Sequence, residues 1–488
     1  MRLDYAAAVV SLADAHTRQS PGRTFVVLGT GAMAYVLLQS LVVPALPTLQ
    51  AALHTSQSSI SWILTAYLLS ASVATPVLGR LGDMFGKEHM LVVVLAALSV
   101  GSLIAALTSS IGVMIAARVL QGLGGAVFPL AFGIIRDEFP RERVPGAIGG
   151  ISTMLGVGSG LGIVLAGPIV DHLNYHWLFW IPLVMTAIAT VATFLFVPES
   201  PVKTPGTVNL PAAALLSGWL IALLLGVSEG AAWGWSSARI IGLFAAAVVL
   251  FAAWIAVELR ARVPLVDVRL MRTPVVWWTN ISALMFGFGM YSMMVVLPEF
   301  MEAPRAAGYG FAASVTGAGL AMVPATLAMI VVGMAIGPIT AAVGSKLPLI
   351  AGGLLGGAAF AFLAVAHSAE WQVYVTMALA GLGMGLAFSA MTNLIVDAVP
   401  STHTGVATGM NANIRTVGGA IGSQVVTSVI TAGVAMGALP HEHGYVLSFL
   451  VLAAGMIAAA VAALLVPNAH RRVALSPAET AEPLAERV

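Results

Sequence analysis

Along this chain the apolar and polar positions separate into blocks rather than alternating. Residues 24–79 contain no Asp, Glu, Lys or Arg. A helix crosses the hydrocarbon core with about 20 apolar residues, so this run holds two crossings. Pro44, Pro47 and the polar stretch His54 to Ser59 mark the turn between them. The same reading predicts fourteen spans, near 24–45, 59–78, 89–108, 112–134, 146–170, 177–197, 210–228, 239–257, 275–298, 313–336, 347–366, 372–396, 405–430 and 444–466. All must be helices, because backbone exposed to lipid has to satisfy its own hydrogen bonds. The period-two segments of a transmembrane barrel are missing. The predicted fold class is an all-α polytopic membrane protein.

Composition agrees with the pattern. Hydrophobic residues make up 59% and charged residues 8% of the chain, and the mean hydropathy is +0.97. A soluble domain carries about 25% charged residues, so most of this surface cannot face water. The net charge of +1 is uninformative, and no basic domain suggests nucleic acid, so no nucleic-acid partner is expected. With no cysteine there is no disulfide, thiolate metal site or Cys nucleophile.

Charge placement sets the topology. Fourteen spans return both ends to one side. That side holds Arg2, Arg18, Arg23, Arg80, Lys87, Arg136, Arg141, Arg143, Lys203, Arg260, Arg262, Arg269, Arg272, Lys346, Arg471, Arg472 and Arg487. The other side holds only Arg239 and Arg305, while Arg118 and Arg415 fall inside spans. Cytoplasmic loops carry the excess of Lys and Arg, so both termini are expected in the cytoplasm. Residues 1–23 contain one short apolar stretch, Ala6 to Ala13, broken by Ser11, and no small-residue cleavage pattern. They read as a polar tail, as do residues 467–488.

The chain also repeats itself. The loop after span 2 reads GRLGDMFGK with Gly79 and Gly86, and the loop after span 10 reads GPITAAVGSK with Gly337 and Gly344. Gly122 and Gly124 in span 4 answer Gly381 and Gly383 in span 12, and Asp137 to Pro140 (DEFP) answer Asp397 to Pro400 (DAVP). A near-constant offset of about 260 residues predicts two parallel repeats. They are a six-helix bundle over 24–197 and a second over 275–466, with 198–274 a linker carrying two extra transmembrane helices. Two such halves that rock around a central site are one transporter architecture.

These residues resemble the major facilitator superfamily, and most resemble its fourteen-span drug:proton antiporter branch, over nearly the whole chain. The family's loop 2–3 signature, roughly G-x-L-A-D-R-x-G-R-K, is matched by Gly79 to Glu88. Its span 4 signature R-x-x-Q-G-x-G is matched by Arg118, Gln121, Gly122 and Gly124. Its span 5 antiporter signature is similar to the glycines Gly156, Gly158, Gly160, Gly162 and Gly167 followed by Pro168. The branch's P-L-x-D-x-R-L loop is matched by Pro264, Leu265, Asp267, Arg269 and Leu270. The chain departs from the family in three places. The acid often present in span 1 is absent from Leu37 to Pro47, Met84 replaces an arginine, and Ala341 stands where the second copy would carry the counterpart of Asp83. The resemblance implies a major facilitator fold and alternating-access export of amphiphilic small molecules, as in multidrug efflux and antibiotic resistance. It implies exchange for protons, a monomer, and a plasma (inner) membrane location.

Several residues are candidates for that work. Gly79, Asp83, Gly86 and Lys87 are either a conformational latch, with Asp83 pairing a helix dipole or a basic neighbour across the halves, or a static turn. A guanidinium within the bilayer costs several kcal/mol unless it faces a cavity or a partner. Arg118 therefore either holds an anion or water, or is a structural group satisfied by carbonyls and Gln121. Arg415, near mid-bilayer and flanked by Asn411 and Asn413, is either a cavity charge or an interhelical clamp. Neither arginine can carry a proton. No acid lies in the middle of a span, so any carried proton falls to a boundary acid: Asp171, Glu299 or Asp83. A cavity with positive charge only fits a neutral or anionic amphiphile better than a cation. Gln39, Tyr67, Asn280, Tyr291 and Asn411 are candidate cavity residues or ordinary interhelical hydrogen bonds. Gly158, Gly162, Gly167 and Pro168 form the glycine motif. Met285, Met290, Met293 and Met294 are either adaptable ligand contacts or lipid-facing filler. No phosphate-binding loop, catalytic cluster or cofactor motif occurs, so neither an ATP-driven pump nor an enzyme is expected. His441 and His443 are half a metal site without partners, and no metal is expected.

Overall fold

The structure, a computed structural model, describes residues 21–200, 203, 209–261, 264–432 and 439–467. A few side chains inside helices, Asp171 among them, and the two polar tails lie outside the described residues. Every regular element among the described residues is helical. The membrane-length helices are α1 (Pro21–Ser40), α2 (Gln57–Phe85), α3 (Lys87–Leu107), α4 (Ile111–Glu138, with one tighter turn at Leu123–Ala126), α5 (Val144–His172) and α6 (Trp177–Phe196). They continue with α7 (Leu210–Trp233), α8 (Ala238–Arg260), α9 (Pro274–Glu302), α10 (Thr316–Val343), α11 (Lys346–Val365), α12 (Glu370–Ala398), α13 (Thr404–Thr431) and α14 (Glu442–Leu464).

Thirteen of these are long and apolar enough to cross a membrane. The exception is α13. Its 28 residues span about 42 Å at 1.5 Å per residue, which is ample length. Its composition falls short because Asn411, Asn413, Arg415, Gln424 and a run of Ser and Thr replace apolar side chains. It can afford them because its first turns are buried in protein rather than lipid, from Thr404 to Asn411.

Local signals set the helix ends. Ser56 caps α2 by accepting from the Ser59 amide, Asn209 caps α7 from Ala212, and Ser237 caps α8 from Ile240. The second glycine of each repeated loop, Gly86 and Gly344, breaks the chain between consecutive helices at φ +122° and +73°. Those values are reached cheaply only without a Cβ, which explains why glycine recurs at this point in both repeats.

Two apolar cores result. One gathers side chains from α1 to α6, with Val396 as its sole contribution from elsewhere. The other gathers side chains from α9 to α14. Met290 and Met293 are buried in this second core with Met285 and Met294 packed against it, so the Met-rich stretch is interior rather than lipid-facing. A smaller cluster ties α7, α8 and the loop at Leu265–Val268 to Val406 and Met410 of α13.

The two sets of six helices meet along two seams, α2 against α13 and α5 against α10, both built on missing side chains. At the first, a Cβ on Gly79 would lie 2.8 Å from the Gly405 carbonyl oxygen, and the converse holds equally. At the second, Gly146 faces Gly337, Gly156 faces Met329, Gly160 faces Thr326 and Gly333 faces Thr153. Within the second core, α9 and α13 cross with Gly418 against the Leu284 backbone and Gly287 against the Arg415 backbone. Backbone cannot yield as a side-chain tip can. Gly418→Ala is therefore expected to destabilise the protein by about 1–3 kcal/mol, read as a lowered melting temperature in detergent. Gly112→Ala, where nothing lies within 4 Å of the added Cβ, is the control and should leave it unchanged.

Candidate functional site

Two polar centres occupy the seam between the halves. The first lies at the end of the molecule that carries the basic loops. Asp83, in the last turn of α2, is 1% exposed, and Lys87, in the first turn of α3, is also 1% exposed. Lys87 Nζ lies 2.5 Å from Asp137 Oδ2 at the end of α4 and 3.7 Å from Asp83 Oδ1. Ser200 Oγ donates to Asp137 at 2.5 Å. The other Asp83 oxygen accepts from the Val406 amide at 3.4 Å, in the first turn of α13 and so in the other half. An exposed helix N-terminus carries partial positive charge, so this carboxylate bridges a lysine in its own half and a dipole across the seam. Beside it, Arg136 donates to Thr404 Oγ1 and to the Val399 carbonyl, each at 2.7 Å and each in the other half.

Lys87 is therefore not a solvated surface charge but an ammonium enclosed by two carboxylates. In the sequence Asp137 stands out only in the repeated DEFP loop, and Arg136 only as one of the charges of the basic side. Their part in a cross-half network follows from depth, which a charge pattern does not report. His403, just before α13, is held below its ordinary pKa, chiefly by burial, with Arg80 adding to the effect.

The cross-half hydrogen bonds of the described residues all lie between this end and mid-bilayer. Besides those above, Ser389 donates to the Gly149 carbonyl at 3.4 Å, Asn393 to the Pro145 carbonyl at 3.4 Å, and Asn413 to the Ser72 carbonyl at 2.6 Å. The molecule is closed at its basic end.

The second centre is a narrow cavity of about 60 Å³ at mid-seam, lined by Tyr35, Gln39, Tyr67, Tyr291, Asn413 and Arg415 among others. Three of the sequence candidates, Gln39, Tyr67 and Tyr291, thus meet Arg415 around one space. The Arg415 guanidinium sits 4.9 Å from the centre of the Phe388 ring. No carboxylate among the described residues pairs with it.

Arg118 is placed differently. It is fully buried, donating from Nε to the Ile63 carbonyl at 3.1 Å and from Nη1 to Gln121 Oε1 at 2.8 Å. Gln121 in turn donates to Ser102 at 3.2 Å. The guanidinium carbon stacks 4.2 Å from the Tyr67 ring centre, behind the cavity wall rather than in it, and Nη2 has no hydrogen-bond partner. These contacts are those of a group that braces Tyr67.

The remaining candidates scatter. Asn411 donates to Asn280 Oδ1 at 2.8 Å, clamping α9 to α13; Asn280 does not line the cavity, and Asn411 lines a neighbouring space of about 20 Å³ beside Arg415. Glu299 is exposed near the far end of α9, beside Tyr445 and away from the cavity. Asp171 lies in the last turn of α5, its side chain outside the described residues. The glycine run of α5 works in two registers. Gly158 and Gly162 face Val36 and Ser40 of α1 in the same half, while Gly156 and Gly160 face Met329 and Thr326 across the seam. A Cβ on Gly167 would lie 3.3 Å from Thr316 Oγ1 of α10, and Pro168 stands inside α5. Glu88, His89 and Glu199 bring three ligand atoms within 4.8 Å at the basic end. Lys203 lies 3.9 Å from Glu199, so the group has charge compensation of its own.

A bundle of membrane-length helices in two similar sets, closed at one end around a mid-membrane cavity, defines a membrane transporter rather than an enzyme. Residues 28–423 match the family model of the Major Facilitator Superfamily, and the chain belongs to that family. Among curated relatives, it is 29% identical over 413 residues to the tetracenomycin C resistance and export protein of Streptomyces glaucescens, covering 84% of this chain and 76% of that one. It is 27% identical to the multidrug resistance protein Stp of Mycobacterium tuberculosis (86% and 77% covered) and 28% identical to the multidrug transporter protein MdtP of Bacillus subtilis (77% and 69%). Among solved structures, the human organic anion transporter MFSD10 aligns with a TM-score of 0.62 at 16% identity, covering 92% of this chain and all of that one. The proton:xylose symporter XylE aligns at 0.65 and 12%, covering 92% and 96%. At such identities the structural likeness establishes the fold alone.

Removing one partner from a buried ionic cluster leaves an uncompensated charge and costs about 3–5 kcal/mol. Lys87→Met strands two carboxylates and is expected to lower the melting temperature sharply. Lys87→Met combined with Asp137→Asn is expected to recover part of the loss, and a double-mutant cycle by thermal melting checks it.

Proposed function

We propose that this protein is a secondary active exporter of neutral or anionic amphiphilic small molecules, working by alternating access in exchange for protons. The observation that carries the reading is Arg415, an unpaired guanidinium facing a cavity at the seam of two helix bundles. A charge in that position is costly in the empty state, and an acidic or strongly polar substrate group would offset the cost. The names of the relatives, which include resistance and export proteins, support drug or metabolite efflux as the direction. On this reading the basic end is cytoplasmic, both termini lie there, the membrane is the plasma (inner) membrane and the working unit is a monomer.

The two six-helix sets are then the moving bodies, with the two inserted helices between them, and Asp83 is the latch between the bodies. Opening the basic end must part Asp83 from the first turn of α13 and Arg136 from Thr404. A proton on Asp83 removes the negative charge that holds the α13 dipole, so protonation favours opening. Of the two boundary acids whose side chains are described, Glu299 is exposed and remote from the seam, and Asp83 is buried where the bodies meet. The second reading is a facilitator or a lipid or anion transporter of the same fold without proton coupling. It is favoured by the lack of any acid lining the cavity.

The two readings part in proteoliposomes carrying a fluorescent anionic amphiphile. An imposed pH gradient is expected to raise transport about tenfold or more, and Asp83→Asn to abolish that dependence while Arg415→Gln abolishes transport. Transport indifferent to the gradient would remove the antiporter and leave the facilitator.

A further inference from the structure

The two inserted helices, α7 and α8, find no use in a latch or in a central cavity, yet they form the wall of something. On the outer surface between them and α13–α14 lies a groove of about 600 Å³, lined almost wholly by apolar side chains such as Leu223, Trp235, Phe244 and Leu447. Its rim is exposed: Trp235, Ile421, Val425 and Leu447 are between 38% and 44% accessible. At the inner end of the groove Val227 and Gln424 belong also to a second space, a narrow vestibule of about 90 Å³. The vestibule in turn shares Leu68, Tyr291 and Thr416 with the Arg415 cavity. Three spaces therefore lie head to tail, each joined to the next by common wall residues.

Their polarity rises inward. The groove is hydrocarbon-like, the vestibule adds the hydroxyls and amide of Ser228, Ser423, Thr416 and Gln424, and the cavity ends on Tyr67, Asn413 and Arg415. The seam is held here without polar contacts. From Asn413 outward along α2 and α13, the described residues make no hydrogen bond across the halves. Gly419 and Ala420 keep the vestibule side of α13 low.

We propose that this groove is a lateral doorway, through which an acidic amphiphile leaves the Arg415 cavity tail-first between α7 and α13 and enters the outer half of the bilayer. Burial of an alkyl tail is worth about 0.8 kcal/mol per methylene, so such a molecule is released into lipid rather than into water. The doorway lets the tail enter hydrocarbon while the head exchanges the guanidinium for the vestibule hydroxyls and then for water. The substrate class is a single-chain or polycyclic weak acid with its charge at one end. This rests on the reading of Arg415 as the substrate-facing charge.

The test uses the full chain in phosphatidylcholine vesicles with dansylaminoundecanoic acid as probe, followed by transport rate and by equilibrium binding from dansyl fluorescence in detergent. Val227→Trp narrows the neck and is expected to slow transport about fivefold or more while binding changes less than about twofold. Leu103→Trp, on the lipid-facing side of α3, is the control and should transport as the parent does. Because the chain contains no cysteine, Ser423→Cys can be blocked after folding with N-cyclohexylmaleimide. Modification is expected to stop transport, and bound probe to slow modification. This arm stands even where a tryptophan variant fails to fold. Parental transport after complete modification of Ser423→Cys, or in a folded Val227→Trp protein, overturns the doorway and leaves the cavity reading intact. Undiminished probe binding by Arg415→Gln overturns the cavity reading and, with it, the doorway.

Discussion

The cost of holding charge away from water governs this molecule. With charged residues at 8% of the chain, most charges sit in loops, and those drawn inward are few enough to follow singly. Lys87 is enclosed by Asp83 and Asp137, Asp83 is completed by the first turn of α13, and Arg136 is completed by Thr404 and the Val399 carbonyl. Arg118 spends its donors on Ile63 and Gln121 and lays its face on Tyr67. Each of these is compensated within the protein. Arg415, with only an aromatic face, is not compensated by any carboxylate, and it is the one that meets the cavity.

Compensation at the basic end also crosses between the two helix sets, which is why the same contacts that lower the cost of burial hold that end shut. A polar contact across a moving seam has to be strong enough to close it and cheap to break. A carboxylate against a helix N-terminus suits this, since partial charges contribute about 0.3–1 kcal/mol at exposed sites and more when buried. Arg136 adds two donors of the same kind. The α5/α10 seam relies instead on glycine contacts, with Gly146 against Gly337 at the basic end and Gly160 against Thr326 further along. At the first pair backbone lies against backbone, while at the second the threonine side chain enters the hollow that the missing Cβ leaves.

The span pattern was legible because lipid demands it: charge-free blocks of helix length can be counted in a single sequence. The one helix that fails the apolar test, α13, is also the one whose polar residues are shielded by protein, and a hydropathy count cannot see shielding. The repeat was readable for a geometric reason, since Gly86 and Gly344 both need positive φ. Direction around a helix was not readable. Gly156, Gly158, Gly160 and Gly162 form one run in sequence but face two different helices in alternation, and Met285 to Met294 turn inward where an apolar segment offers no polar face to orient it. The same loss of direction left Arg118 and Arg415 looking alike in the sequence, although one braces a wall and the other faces a cavity.

That difference bears on how a substrate is met. A transporter whose internal charge faced only water would need a polar path to it. Here the cavity adjoins a vestibule whose outer wall belongs to α7, a helix that lies outside the repeat and packs on both α2 and α13. Adding a hairpin to a two-bundle machine therefore covers one seam on its lipid side, and a cover that touches both bodies senses their relative motion. If, as proposed, the basic end opens and α2 swings from α13, the wall contributed by α7 follows one body or the other, so the width of the vestibule and the state of the proposed latch change together. Under the doorway proposal, exit to the bilayer and closure at the basic end are then two readings of one rigid-body displacement, with Asp83 at one end of α2 and Leu68 near its middle.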